Sequence, residues 1–322
     1  MKNILDKKIA VVLHNQKTLS EICGANDKNL RTIEELIGAP VYSRGNELFL
    51  ESEEKDKQSI FSKIIQQLKD HTDSGQHPSP ELISSIYSSL IKNESQKADL
   101  LKQIQIHIPQ SNQSIFPKGY NQARYMKQLR DLDMVFCVGP AGTGKTYIAV
   151  AQALYEVLNR EKRKLILTRP VVEAGENLGF LPGDFTQKIS PYLKPLYDAM
   201  ETFLPNDFLT RLEENRAIEI APLAYMRGRS LNNSVIILDE AQNTTKEQMK
   251  MFLTRIGDNS KAFITGDITQ IDLPARRVSG LVHASRILSN IEEIGVMYMD
   301  SQDVVRNPLV RKIVHAYEQN KE

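Results

Sequence analysis

The run Gly139-Pro-Ala-Gly-Thr-Gly-Lys-Thr146 has the spacing G-x-x-x-x-G-K-[ST]. That spacing suits one chemistry, the holding of a nucleoside triphosphate by its phosphates. Gly139, Gly142 and Gly144 let the backbone turn its N–H groups inward. Pro140, Ala141 and Thr143 complete the loop, and the positive end of a following helix adds to the attraction. Lys145 is placed to reach the β and γ phosphates, and Thr146 to hold Mg²⁺. A second element, Val235-Ile-Ile-Leu-Asp239-Glu240, is an apolar strand with two carboxylates at its C-terminal end, where open sheets bind ligands. Asp239 is expected in the Mg²⁺ shell, and Glu240 is expected to orient or deprotonate an attacking water. A third, Gly266-Asp-Ile-Thr-Gln270, brings Gln270 out beside the γ-phosphate. Each string alone also reads as an ordinary turn. Their succession predicts ATP or GTP binding with Mg²⁺, followed by hydrolysis. The guanine-reading string N-K-x-D and the switch string D-x-x-G do not occur, which leaves ATP. The six histidines show no ligand spacing, which excludes a histidine-built metalloenzyme.

The elements that must position these residues follow from periodicity. From Asp133 onward, short apolar runs at 134–138, 165–167, 218–220, 235–238, 262–264 and 296–299 alternate with helical stretches. That alternation predicts an α/β domain with a doubly wound, mostly parallel sheet over residues 116–322. Residues 1–70 read as a smaller α/β unit. It has a strand at 9–13, helices at 19–22 and 29–37, a hairpin around Arg44-Gly-Asn46, and a last helix at 53–68. Residues 71–115 are expected to be a linker whose connecting helix carries Leu82, Ile86, Leu90 and Ile91.

Composition narrows the class. The 322 residues are 41 % hydrophobic, which excludes a disordered chain. No apolar run approaches the roughly 20 residues of a membrane span. The N-terminus lacks the apolar stretch and cleavage site of a secretory signal, and the two cysteines have no metal-ligand spacing, so a reducing, cytoplasmic setting is expected. A net charge of +1 excludes a uniformly basic nucleic-acid glove and leaves room for local patches.

The phosphate loop, Thr168-Arg-Pro170, Glu173-Ala-Gly-Glu176, Leu178-Gly-Phe-Leu-Pro-Gly-Asp184, Arg227-Gly-Arg-Ser-Leu231, Asp239-Glu-Ala-Gln-Asn243 and Gly266-Asp-Ile-Thr-Gln270 together resemble the PhoH family of bacterial ATPases. The resemblance implies a RecA-like P-loop domain related to superfamily-one helicases, with ATP hydrolysis and a role in RNA metabolism. It also implies roles for single residues. Gln122 resembles the glutamine that reads adenine in related helicases, its alternative being a helix-capping glutamine, and Tyr125 would pack near the base. Arg169 matches a position that touches nucleic-acid backbone, and Arg227 with Arg229 form a local basic pair. Arg306 resembles a late arginine that contacts γ-phosphate, in its own subunit or a neighbour's. The first unit resembles a KH-type RNA-binding domain. Its Gly24-Ala-Asn-Asp27 lacks the second glycine of the G-x-x-G grip, which leaves RNA binding and a docking role both open. The residues after Gln270 leave no room for a second RecA-like domain, so a homo-oligomer is expected, a ring and by resemblance a hexamer. The alternative function is a nucleotide-switched RNA or protein adaptor with little turnover.

Overall fold

A computed structural model describes residues 8–92, 94–111, 113–170, 185–274 and 278–305. The chain divides into two compact units, 1–105 with 116–124, and 106–115 with 125–322.

In the first unit the order is β1 (Lys8–Val12), α1 (Gln16–Cys23), α2 (Lys28–Ile37), β2 (Val41–Arg44), β3 (Glu47–Glu51) and α3 (Lys55–Asp73). The three strands form an antiparallel sheet in the order β1-β3-β2. Leu48 and Leu50, two apart on β3, point to one face and are fully buried. Leu30, Ile33 and Ile37 of α2, with Phe61, Ile64, Ile65 and Leu68 of α3, supply the helical side of the core. Two further helices, α4 (Pro80–Ile91) and α5 (Ser95–Gln103), follow. Ser79 caps α4 by accepting from the Leu82 N–H, and Pro80 opens it. Residues 71–105, expected to be a linker, are grouped with this unit. Leu82, Ile83 and Ile86 are buried as α4 packs on α2 and α3, and Lys102 pairs with Asp70 at 2.6 Å.

The second unit begins with the ribbon β4 (Ile106–Ile108) and β5 (Gln113–Ile115), and α6 (Tyr120–Asp131), which belongs to this unit from residue 125, leads into the sheet. Then come β6 (Met134–Val138), α7 (Lys145–Leu158), β7 (Lys164–Arg169), α8 (Phe185–Glu201), α9 (Asn206–Glu214) and β8 (Ile218–Pro222). The chain continues through β9 (Ser234–Leu238), α10 (Lys246–Leu253), β10 (Lys261–Gly266), α11 (Gly280–Leu288) and β11 (Ile294–Tyr298). All six runs read from the sequence as strands are strands. They form one parallel sheet in the order β11-β6-β10-β9-β7-β8. This is the doubly wound α/β architecture expected of a RecA-like P-loop domain.

Two features of this order position the site. First, β10 lies between β6 and β9, so the phosphate loop and Asp239 leave the sheet on either side of Gly266. Second, β9 is buried at every position, and α7 is buried on nearly all sides through Ile148, Ala149, Val150, Ala151, Ala153 and Leu154. The helix that carries the phosphate loop is thus fixed against the sheet. Among the described residues no helix is long and apolar enough to cross a membrane.

Candidate nucleotide site

The loop between β6 and α7 is shaped by its glycines. Gly142 and Gly144 have φ values of 86° and 84°, a left-handed backbone that residues with a Cβ rarely adopt. Gly139 is required for another reason, since a Cβ there would stand 2.6 Å from the Met299 carbonyl oxygen. The Gly139 N–H donates to the Gly266 carbonyl at 3.0 Å, and the Gly142 carbonyl accepts from the Val305 N–H at 2.8 Å. These bonds tie the loop to β10 and to the segment after β11. An open cleft of about 250 Å³ lies against it, lined by loop residues, Lys145, Thr146, Asp239, Glu240, Asp267 and Gln270.

Lys145 is buried and folds back on the loop, donating to the carbonyls of Gly139 at 2.6 Å and Pro140 at 2.7 Å. Burial pushes its ammonium below the ordinary 10.5, while the nearby carboxylates of Asp267, Asp239 and Glu240 oppose the shift. Thr146 Oγ1 donates to Asp239 Oδ1 at 2.8 Å, and Thr265 Oγ1 donates to the same oxygen at 2.7 Å. A hydroxyl and a carboxylate in contact, both hard oxygen donors, fit Mg²⁺ that also takes phosphate oxygens. Among the described residues no cluster of three or more His, Cys, Asp or Glu side chains could hold a metal unaided.

Glu240 has a left-handed backbone, φ 50°. Its Oε1 lies 3.3 Å from the Arg169 guanidinium, and its Oε2 accepts from Gln242 Nε2 at 2.5 Å. Gln242 is fully buried and does more. The same amide nitrogen reaches the Gln270 carbonyl at 3.2 Å, and its Oε1 accepts from the Asp267 N–H at 3.0 Å. Asp267 in turn turns one carboxylate oxygen, Oδ2, to the Ala141 N–H of the phosphate loop at 3.0 Å and to Gln270 Nε2 at 2.8 Å. The three motifs of the sequence therefore meet in one hydrogen-bonded network.

The structure brings together Gly139, Pro140, Ala141, Gly142, Thr143, Gly144, Lys145, Thr146, Asp239, Glu240, Gln270 and, through Glu240, Arg169. Of the other expected residues, Tyr125, Arg227 and Arg229 belong to other parts of the second unit, Gln122 belongs to the first unit, and Arg306 lies outside the described residues. Gln122 is buried in the first unit, where its Oε1 accepts from the Lys118 N–H at 2.8 Å. Tyr125 has no exposed surface and lies beside Cys137, so its ring offers no face to a base. Arg229 is held by Glu219 through two hydrogen bonds of 2.5 and 3.0 Å, and Lys164 contacts the same carboxylate. Arg227 is exposed on the loop before β9. Arg306 lies outside the described residues, as do residues 171–184 with two of the family-like strings. Sequence reasoning assigned no task to Gln242, Thr265 or Asp267. Two lay inside the quoted strings, but their partners come from other strands.

Residues 114–318 match the family model described as PhoH-like protein. A PhoH-like protein of Mycobacterium bovis is 46 % identical over 298 residues, which cover 92 % of this chain and 84 % of the relative. A PhoH-like protein of Bacillus subtilis is 43 % identical over 306 residues, covering 95 % of this chain and 96 % of the relative. The crystal structure of the Pyrococcus furiosus Hef helicase domain aligns with 57 % of this chain and 38 % of its own, at 16 % identity and a TM-score of 0.36.

Proposed function

The chain belongs to the PhoH-like family, and from that premise we propose that it is a cytoplasmic, Mg²⁺-dependent ATPase of RNA metabolism. One observation carries the reading. The phosphate loop, the Thr146–Asp239 pair and Glu240 converge on a single cleft at the C-terminal ends of β6 and β9, on either side of β10. Mg²⁺ held by Thr146 and Asp239 would neutralise charge on the β and γ phosphates.

The chain's own residues divide the remaining work. The N–H groups of 139–146 cradle the phosphates, and Lys145 exchanges the loop carbonyls for phosphate oxygens. Glu240 takes the proton of the water that attacks the γ-phosphorus in line, and Gln270 meets the γ-phosphate from β10. Gln122 is assigned to adenine by resemblance. RNA contacts are assigned to Arg169, with Arg227 on the loop before β9 and Arg229 by exchange of its Glu219 partner, and Arg306 is assigned to γ-phosphate in its own or a neighbouring subunit. The first unit's β-α-α-β-β-α order and its β1-β3-β2 sheet support the KH-like reading. A ring of identical subunits, each closing its neighbour's cleft, is the assembly we assign.

Glu240→Gln tests the reading. The variant should keep ATP bound and lose turnover by about 10²-fold or more, the usual contribution of a positioned base. Wild-type turnover in the folded variant would refute it. The alternative, a nucleotide-switched adaptor with little turnover, is favoured by one observation. Both Glu240 oxygens are already occupied by Arg169 and Gln242. Steady-state hydrolysis with and without RNA separates the two, because an adaptor would bind RNA in a nucleotide-dependent way with negligible turnover.

A further inference from the structure

Glu240 must accept a proton from water, yet each of its oxygens already has a partner. The Arg169 contact is built into the sheet. Arg169 closes β7, Glu240 follows β9, and these strands are neighbours with Thr168 opposite Leu238. The Asp239 N–H extends the pairing by donating to the Thr168 carbonyl at 2.9 Å. Glu240 reaches its partners from a left-handed backbone, φ 50° and ψ 37°, which a glutamate holds only where its surroundings enforce it.

Arg169 does not line the nucleotide cleft. Its side chain is 23 % exposed, and its second arm makes a long 3.5 Å contact with the Tyr192 carbonyl. The planar fork is thus half used on one carboxylate oxygen, at the C-terminal edge of the sheet where ligands of open α/β folds arrive. A phosphodiester offers that fork a better match, because two of its oxygens can take both arms at once. Gln242 would remain on Oε2 and keep the freed carboxylate aimed at the cleft.

We propose that Arg169 is a positioning residue that parks Glu240, and that the phosphate backbone of a polynucleotide competes for its guanidinium and frees Glu240 for water activation. The proposal rests on the reading that RNA is the partner, and it adds how RNA would regulate the ATP site. A partly exposed ion pair shifts a population by up to about five-fold, which sets the size of the effect.

The test measures ATP turnover of the full chain with and without poly(U), with poly(U) affinity followed separately by fluorescence anisotropy. The wild type should be stimulated. Arg169→Gln should raise the basal kcat about five-fold, leave the KM for ATP within two-fold, and respond no further to poly(U). Arg169→Lys should recover part of both the restraint and the response, which a purely structural role would not predict. A lower basal kcat in folded Arg169→Gln, or the same fold stimulation as wild type, overturns the proposal. So does a wild type that binds poly(U) without stimulation, a result that leaves the RNA reading standing. Absence of poly(U) binding removes the RNA reading and the proposal together. Full turnover by Glu240→Gln removes the site assignment itself.

Discussion

Gly266→Ala puts one methyl group where β10 passes the network around Gln242. The added Cβ would stand 2.5 Å from Leu281 Cδ2, 2.7 Å from Gln242 Oε1 and 3.1 Å from the Gln242 backbone nitrogen. Leu281 can swing its terminal methyl aside. Gln242 cannot easily move, because its Oε1 holds the Asp267 N–H and its Nε2 holds Glu240. Reaching ordinary contact at 3.4 Å from 2.7 Å requires a shift of 0.7 Å, the difference of the two distances. Overpacking of this kind costs about 1–3 kcal/mol. A misplacement near 1 Å at a catalytic group costs about 10²-fold, so kcat should fall by about 10–100-fold. The KM for ATP should change little, since the loop-anchoring bond from Gly139 to the Gly266 carbonyl uses backbone atoms. Steady-state ATP hydrolysis with a thermal melt on the same sample reads both effects. The double variant Gly266→Ala/Gln242→Ala should recover most of the melting temperature while kcat stays low, because the space returns without the amide. Wild-type kcat in Gly266→Ala would refute the claim that Gln242 positions Glu240.

Lys261→Met should destabilise the second unit by about 3–5 kcal/mol, because Glu156 is 1 % exposed and would lose the ammonium at 2.9 Å. Adding Glu156→Gln should restore most of that loss in urea unfolding, and a single variant as stable as wild type would contradict the pairing. Glu219 concerns pH. Hydrogen bonds from Arg229, with burial opposing, hold its carboxyl at about 2 against an ordinary 4.5. A depressed folded value stabilises above pH 4.5, and that stability is lost as pH falls from 4.5 toward 2. Glu219→Gln should therefore unfold more readily at pH 7 and show a flatter acid limb over that window. An unchanged acid limb would show that the carboxylate is not held this way.

The candidate site residues carried on a single segment were legible in sequence. Gly139–Thr146 and Asp239–Glu240 are local strings whose proposed task follows from spacing, and the six strands of the parallel sheet follow from short apolar runs. What escaped was anything decided by strand order. Nothing in the sequence says that β10 inserts between β6 and β9, so neither the bond from Ala141 to Asp267 nor that from Thr265 to Asp239 could be read from spacing. Arg229 looked like a free basic group because Glu219 lies ten residues back on a strand whose facing direction depends on the fold. In the first unit, Leu82 and Ile86 marked an apolar face on α4, but periodicity does not name the helices that cover it. Tyr125 followed the same logic, since a tyrosine on the helix that precedes a strand can face a ligand or the core, and here it faces the core.

The strand order has a physical consequence for how phosphate enters. The Ala141 N–H, one of the loop groups that would face an anion, already donates to a carboxylate oxygen of Asp267. The same oxygen accepts from Gln270, while the other, Oδ1, is taken by the N–H and hydroxyl of Thr269. A triphosphate approaching the loop meets like charge at Asp267, and its entry must trade that hydrogen bond for one of its own. The trade is close to even for Ala141, which keeps an anionic acceptor, and it leaves the shared Asp267 oxygen to Gln270. The Gln270 backbone carbonyl and the Asp267 N–H are both held by the one side chain of Gln242, which also donates to Glu240. The Ala141 N–H, Asp267, Gln270, Gln242 and Glu240 are thus linked by hydrogen bonds along a single sheet edge.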